Sequence, residues 1–248
     1  MKHEQKIRYS RHLILPELGE EGQKRLLDSS VLVIGAGGLG SPALLYLAAS
    51  GVGRIVIVDS DKVELSNLQR QIIHESGDIG RLKVWSAADS INDLNPDVKL
   101  NVYAERLDES NADEFISNVD VVLDGSDNIA TRFLVNDICV KLKKPLFTAA
   151  ILRFEGQATS FTQEPDSPCY RCLYPDAPPA DSMPTCAENG IFAPVAGIMG
   201  AIMANEAVKD LAGLGTSLKG NLLRFDGLKM EFKKVKLPKD RKCRVCNG

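Results

Sequence analysis

The stretch GAGGLG, from Gly35 to Gly40, decides the fold because of what stands on either side of it. The apolar run VLVI (31–34) precedes it, and the run LGSPALLYLAAS (39–50) follows with the composition of a helix. A G-x-G-x-x-G turn between a buried strand and a helix is typical of a dinucleotide-type phosphate loop, because the helix start offers backbone N–H groups to an anion. The glycines that we expect to contact a nucleotide are Gly35, Gly37, Gly38 and Gly40.

The segments after this loop predict the fold class. RIVIVD (54–59) reads as a second buried strand, and helix and strand patterns then alternate as far as PLFTAAI (145–151). Among them are a helix predicted over 81–95 and a strand predicted over 99–107. Such alternation predicts an α/β fold with a Rossmann-like, mostly parallel sheet and helices on both faces. The pattern changes after 151, where a long helix at about 194–212 and a β-hairpin at 221–237 are predicted.

The chain reads as one globular unit, 1–248. Within it we expect N-terminal helices at 1–30, a nucleotide-binding core at 31–151 and a C-terminal part with paired cysteines at 152–248.

The composition indicates a soluble protein and argues against nucleic-acid and membrane binding. The 44% hydrophobic and 25% charged content is that of a soluble globular chain, and a net charge of −3 does not favour nucleic-acid binding. The longest apolar run, IFAPVAGIMGAIMA (191–204), is shorter than the ~20 residues that span a membrane. The charged N-terminus lacks the apolar core of a secretory signal, so we expect a cytoplasmic protein without membrane contact.

A polar string follows the second strand. Asp59 stands where dinucleotide-binding proteins carry the acid that holds a ribose, and Asn67, Arg70 and Lys83 come after it. Cations near nucleotide phosphates suit transfer at phosphorus, where negative charge must be held, whereas hydride transfer makes no such demand. The alternative interpretation is solvated surface charge.

The stretch DGSDN (124–128) ends one strand and opens a helix. The carboxyl ends of parallel strands face the ligand crevice, so Asp124 or Asp127 could hold Mg²⁺ beside the phosphates. Asp127 or Asn128 could instead cap the helix, which is the commoner role.

Four of the six cysteines form two C-x-x-C pairs, Cys169 with Cys172 and Cys243 with Cys246. Two such pairs supply four thiolates for a tetrahedral, structural zinc ion, which would pin the C-terminal tail onto the loop near residue 169. A redox C-x-x-C would be single. Cys139 falls within a predicted helix and reads as a small buried apolar residue.

Together these motifs resemble the ThiF/MoeB/HesA family, the bacterial relatives of the ubiquitin-activating enzymes. The resemblance covers essentially the whole chain and rests on RYSRH (8–12), GAGGLGSP (35–42), DSDKVELSNLQRQ (59–71), GDIGRLKV (77–84), LDGSDN (123–128), EGQ (155–157), CYRCLYPD (169–176), TCAENG (185–190) and CRVC (243–246).

The resemblance implies an adenylyltransferase that uses ATP rather than NAD. Such enzymes adenylate the C-terminal glycine of a ubiquitin-like sulfur-carrier protein ending in Gly-Gly and release pyrophosphate. By resemblance Arg11 reaches across a homodimer into the partner's site, and the paired cysteines match a structural zinc site. The residues implied in ATP and Mg²⁺ binding are Asp59 at the ribose, Asn67, Arg70 and Lys83 at the phosphates, Asp127 at Mg²⁺, and the neighbouring Asp61 and Asn128.

Cys186 is a candidate nucleophile, because TCAENG lies where some family members carry a cysteine that captures the activated carrier. Its flanking residues include no cation that would activate a thiolate, so we expect Cys186 to be dispensable for adenylation. No rhodanese-like region or separate catalytic-cysteine region is visible, so we expect the reaction to stop at the acyl-adenylate or to pass at most to Cys186.

Several alternatives stay open at this point. AAILRFEGQ (149–157) resembles molybdopterin-pathway enzymes, whereas CLYPD (172–176) resembles thiamin-pathway enzymes. A Rossmann oxidoreductase would make Arg70, Lys83 and the cysteine pairs incidental. Other relatives activate a tRNA base or a peptide, and a non-catalytic binding module would show no pyrophosphate exchange.

Overall fold

The computed structural model describes residues 1–177 and 189–247. Its strands are β1 (Ser30–Ile34), β2 (Arg54–Val58), β3 (Lys99–Tyr103), β4 (Val121–Asp124), β5 (Leu146–Leu152), β6 (Glu155–Phe161), β7 (Asn221–Asp226) and β8 (Glu231–Lys236). They form one sheet in the order β3-β2-β1-β4-β5-β6-β7-β8. The pairs from β3 through β5 are parallel and those from β5 through β8 are antiparallel, so the predicted mostly parallel sheet carries an antiparallel extension.

Helices lie on both faces of this sheet, as predicted. They are α1 (His3–Arg8), α2 (Ser10–Leu13), α3 (Gly19–Asp28), α4 (Gly40–Ser50), α5 (Lys83–Leu94), α6 (Ala112–Ser117), α7 (Ile129–Leu142), α8 (Tyr170–Leu173) and α9 (Ala193–Ala212). Apolar residues of α4, α5 and α9 form the core against one face. Residues of α6 and α7 form the core against the other.

The strand order reverses beside β1. The chain passes from β1 to β2 and β3 on one side and returns to β4 on the other side of β1. Ligands of open α/β sheets bind outside the carboxyl ends of the strands at such a switch point. The loops that begin at Gly35, after β1, and Gly125, after β4, therefore meet at the edge where a ligand is expected.

Two local differences from the sequence prediction have a simple cause. The strand expected over 99–107 ends at Tyr103. In the described part of the chain β3 pairs with β2 alone, and β2 ends at Val58, the residue paired with Tyr103. The helix expected over 81–95 begins at Lys83, because residues 76–82 form a short 3₁₀ turn and a bridge between Lys62 and Leu82.

The C-terminal hairpin has the predicted position. Asp226 of β7 pairs with Glu231 of β8, and the chain reverses over residues 227–230. Within the described ranges, no helix combines the length and apolarity needed to cross a bilayer.

Candidate nucleotide site and cysteine cluster

The glycine loop needs glycine at both ends. Gly35 adopts φ +89°, a left-handed conformation that side chains disfavour, and its N–H donates to the carbonyl oxygen of Val58 at 2.9 Å. A Cβ atom on Gly40 would lie 1.9 Å from the carbonyl oxygen of Gly35. The loop therefore folds back on the start of α4, and a Cβ on Gly37 would meet nothing closer than the amide of Gln71, at 3.7 Å.

Asp59, at the end of β2, is bonded to this loop. Its Oδ2 accepts the N–H of Ala36 at 2.8 Å, and its Oδ1 accepts the N–H of Asp61 at 2.8 Å. Burial raises the pKa of Asp59, while the Lys83 ammonium and the two backbone N–H groups oppose that rise. Each carboxylate oxygen retains a lone pair that a ribose hydroxyl could use.

Lys83 begins α5 close to this acid. Its Nζ lies 2.8 Å from Asp61 Oδ2, and its backbone N–H donates to the carbonyl oxygen of Asp61 at 2.9 Å. The Lys83 side chain is 7% exposed, whereas that of Asp61 is 67% exposed. The ammonium is thus held beside Asp59 and has an exposed partner that can turn into solvent if an anion arrives.

Arg70 and Gln71 cover the glycine loop. The Cγ and Cδ atoms of Arg70 lie 3.4 and 3.5 Å from where a Cβ of Gly38 would stand, and its Nη1 donates to the carbonyl oxygen of Ser66 at 3.1 Å. Gln71 is 4% exposed, and its Oε1 is buried without a hydrogen-bond partner. A buried acceptor beside the loop fits a site that a ligand with a hydroxyl or amino donor completes.

Asn67 supports the turn that carries Arg70. Its Oδ1 accepts the N–H of Glu64 at 3.3 Å and its Nδ2 donates to Ser66 Oγ at 3.4 Å. At 8% exposure it stabilises this turn, and its backbone carbonyl accepts the N–H of Arg70 at 3.0 Å.

The structure separates the roles left open in DGSDN. Asn128 caps α7, since its Oδ1 accepts the N–H of Thr131 at 3.1 Å. Asp124 is buried and its Oδ1 accepts the N–H of Ser126 at 2.9 Å. Asp127 is exposed and makes no hydrogen bond or ion pair among the described residues, so its carboxylate is available to a cation.

Arg132 is a site residue that the sequence did not reveal. It is 7% exposed and donates from Nη1 to Thr148 Oγ1 at 3.0 Å and from Nη2 to the carbonyl oxygens of Ala149, at 2.8 Å, and Ser126. It thereby joins the loop that carries Asp127 to the middle of β5. Among the described residues, Arg132 has no carboxylate partner, and no local sequence pattern indicates such a buried arginine.

His74 is a second residue near the glycine loop that the sequence analysis did not single out. It is 6% exposed and lies between Ser86 Oγ, 2.7 Å from Nδ1, and the carbonyl oxygen of Ala36, 2.9 Å from Nε2. The ring therefore contacts the second residue of the glycine loop.

The residues beside Arg11 pack at the end of α4 that is remote from the glycine loop. Tyr9, two residues earlier, accepts a hydrogen bond from Asn95 at 2.9 Å and packs on Gly51, just past the end of α4. The glycine loop is at the other end of that 11-residue helix, about 16 Å away.

The four paired cysteines converge. The Sγ atoms of Cys169, Cys172, Cys243 and Cys246 all lie within 4.8 Å of one another. The Sγ atoms of Cys169 and Cys243 are 3.6 Å apart and those of Cys172 and Cys246 are 3.5 Å apart, close to the ~3.8 Å expected between thiolates on tetrahedral zinc. The N–H groups of Cys169 and Asp240 point at Cys172 Sγ, as donors to a thiolate do. The cluster fits zinc.

The other two cysteines differ from these. Cys139 is fully buried in α7, and burial raises the pKa of its thiol, as suits the apolar role predicted for it. Cys186 lies outside the described residues.

A glycine loop after the first strand, an acid after the second and a parallel sheet with a switch point between them define a nucleotide-binding α/β protein. The chain belongs to the ThiF family, whose model matches residues 9–245. The predicted family is thereby confirmed, and so is the predicted enzyme class, an adenylyltransferase, which the names of close relatives carry.

Three relatives illustrate the match. The SAMP-activating enzyme E1 of Haloferax volcanii is 50% identical over 239 residues, 96% of this chain and 88% of that protein. The sulfur carrier protein adenylyltransferase of Thermus thermophilus is 46% identical over 244 residues, 96% of this chain and 90% of that protein. The probable adenylyltransferase/sulfurtransferase MoeZ of Mycobacterium tuberculosis is 49% identical over 243 residues, 97% of this chain but only 62% of its own length.

Among solved structures, E. coli MccB with ATP superposes with a TM-score of 0.85 over 97% of this chain and 75% of that one. The sequence identity is 21%, so this likeness concerns the fold.

Proposed function

We propose that this protein uses ATP to adenylate the C-terminal glycine of a ubiquitin-like sulfur-carrier protein, with release of pyrophosphate. The observation that carries the proposal is the pair of cations, Arg70 over the glycine loop and Lys83 beside Asp59, at the edge where a nucleotide binds. Relatives named as sulfur-carrier and SAMP-activating enzymes support the choice of acceptor.

Each group at this edge has a role in the proposed reaction. Asp59 holds the ribose, and the N–H groups from Gly37 to Gly40 face the phosphates at the start of α4. Asn67 keeps Arg70 in place, and Arg70 and Lys83 neutralise charge on the phosphate oxygens.

The chemistry is a displacement at phosphorus. A carboxylate oxygen of the carrier's last glycine bonds to the α-phosphorus, the bond from that phosphorus to the β-phosphate oxygen breaks, and pyrophosphate leaves with the electron pair. A C-terminal carboxylate is already ionised at neutral pH, so no side chain has to act as general base. Catalysis then consists of positioning and charge stabilisation.

Two ions complete the proposal. Asp127 is the residue that would hold Mg²⁺, since its carboxylate is free while Asn128 caps α7 and Arg132 fastens the loop. Bound Mg²⁺ would neutralise charge on the departing pyrophosphate. A structural zinc ion on the four paired cysteines would join the tail to α8, with no part in the reaction.

We also propose a homodimer. Tyr9, two residues before Arg11, packs at the end of α4 remote from the glycine loop, so we expect that a catalytic role for Arg11 needs a second copy of the chain. The exposed apolar side chains of Ile7, Ile14 and Leu15 flank it and would suit such an interface. A cytoplasmic site of action agrees with the free thiols in the described residues.

Thiamin and molybdopterin carriers both fit this reaction, and the finer assignment depends on the carrier. A tRNA acceptor is the rival worth testing. Although the net charge is −3, strand β8 exposes Lys234 and Lys236 on one face of the sheet and Lys233 on the other, which makes this edge locally basic.

ATP–pyrophosphate exchange tests the proposal. Exchange should require Mg²⁺ and a carrier that ends in Gly-Gly, and unmodified or modified tRNA should not replace the carrier. ATP with Mg²⁺ should also raise the melting temperature whereas NADH should not, since bound ligand stabilises the native state. Stabilisation by NADH alone would point to the oxidoreductase alternative.

A further inference from the structure

We infer that His74 is a positioning residue of the ATP site, whose imidazole holds the carbonyl oxygen of Ala36 and so keeps the glycine loop in its nucleotide-binding shape. The inference rests on the function proposed above.

Side chains hold Ala36 on both sides. Its N–H donates to Asp59 Oδ2 at 2.8 Å, and its carbonyl oxygen lies 2.9 Å from His74 Nε2. Ala36 stands between Gly35, which has a positive φ, and Gly37, and neither glycine has a side chain to resist rotation. The path of the loop therefore depends on two side chains, His74 and Asp59, and Asp59 is also the residue proposed to bind the ribose.

The chemistry of the ring fixes which atom donates. A carbonyl oxygen can only accept, so His74 Nε2 carries the hydrogen in the bond to Ala36. Burial lowers the pKa of His74. In the neutral ring Nδ1 has no hydrogen, so it accepts the one hydroxyl hydrogen of Ser86, whose Oγ lies 2.7 Å away, and Ser86 then donates nothing to Asp78. Ser86 Oγ also lies 2.7 Å from Asp78 Oδ2.

A protonated ring would keep the same anchor. Nδ1 would then donate to Ser86, and the Ser86 hydroxyl would donate to Asp78. Lys83 opposes this second state, and Asp78 and Asp59 favour it. Because the bond from Nε2 to Ala36 persists in both states, the anchor operates across the neutral pH range.

Loss of the donor has a defined cost. Ala36 is fully buried, so its carbonyl would lack a partner and the loop would shift to find one. That shift would disturb both the Asp59 bond and the N–H groups offered to the phosphates. We expect ATP to bind about tenfold more weakly, with no change in affinity for the carrier.

Calorimetric titration with ATP and Mg²⁺ tests this directly. His74→Leu removes the donor and should raise the Kd for ATP about tenfold. His74→Gln keeps an N–H near the Nε2 position and should stay within about threefold of wild type. His3→Leu, an exposed histidine on α1, is the matched control and should bind ATP as the wild type does.

A merely structural role would show a different pattern. His74→Leu with a lower melting temperature but wild-type ATP affinity would overturn the inference, as would equal losses in the Gln and Leu variants. If His74→Leu does not fold, His74→Gln and Ser86→Ala give the test instead. The inference predicts wild-type-like ATP binding in His74→Gln and weaker ATP binding in Ser86→Ala, and any other result contradicts it. A wild-type chain that binds no ATP would contradict the proposed function instead.

Discussion

The Sγ atoms of Cys169 and Cys243 lie 3.6 Å apart, although 74 positions separate the two residues in the chain. With Cys172 and Cys246 they form a compact four-sulfur cluster. Thiols without a metal gain little from such an arrangement, whereas four thiolates around zinc stabilise it strongly.

The purified protein should therefore contain about one zinc per chain. Cys243→Ser should lose the metal and lower the melting temperature, because zinc binding is coupled to folding. Cys139→Ala is the matched control, since this fully buried thiol lies outside the cluster and should retain zinc. Elemental analysis measures the zinc content, and thermal unfolding measures the melting temperature. Metal-free protein with unchanged stability would rule out the zinc site.

Substitution of Asp127 should affect activity alone, whereas substitution of its neighbour Asn128 should affect stability. Asp127→Asn should abolish Mg²⁺-dependent pyrophosphate exchange and leave the melting temperature unchanged, because Asp127 is exposed and unbonded among the described residues. Asn128→Ala should destabilise the protein by about 1 kcal/mol, since it removes the bond to the N–H of Thr131. Normal pyrophosphate exchange in Asp127→Asn would mean that Asp127 does not hold the Mg²⁺ ion.

Mixed dimers test whether Arg11 acts across an interface. Arg11→Ala and Arg70→Ala chains should each be inactive alone and should recover part of the exchange activity when combined. One of the two sites in the mixed dimer then carries neither substitution. No recovery in a verified mixed dimer would mean that Arg11 serves its own chain or has no catalytic part.

Acid stability should depend on Asp78. Burial tends to raise its pKa, but the Ser86 hydroxyl, the Glu75 N–H and Arg81 together lower the pKa below its usual 3.8. A lowered carboxyl pKa stabilises the native state above the unfolded-state value, and this stability is lost as the pH falls through the native value. Asp78→Asn should thus have a lower melting temperature than the wild type at neutral pH. On acidification below about pH 4, the melting temperature of the variant should fall by less than that of the wild type. Parallel melting-temperature profiles for the two proteins would contradict this.

Local motifs predicted where the glycine loop and the acid beside it lie in the fold. Gly35 and Gly40 sit where they must because the strand, the turn and the helix are contiguous in sequence, and Asp59 follows directly on the next strand. The convergence of the two cysteine pairs was predictable as well, because two C-x-x-C pairs are a spacing pattern typical of zinc sites. The extent of β3 was overestimated because the length of its partner strand set its end, and no local pattern records that.

The remaining site residues depend on tertiary contacts. His74 contacts the backbone carbonyl of Ala36, 38 positions away, and Arg132 contacts that of Ala149, 17 positions away. The residues next to them in the sequence therefore do not indicate these contacts. The choice between Asp127 and Asn128 as helix cap is similar, because either could cap and only the backbone path shows which one does.

The most direct test of the account concerns the carrier's terminal carboxylate. Two preparations of one carrier protein ending in Gly-Gly, with a free and with an amidated C-terminus, should be compared for ATP–pyrophosphate exchange. The account predicts Mg²⁺-dependent exchange with the free carboxylate and none with the amide, because only the carboxylate can attack the α-phosphorus. Equal exchange with both, or none with any Gly-Gly carrier while ATP binds normally, would contradict it.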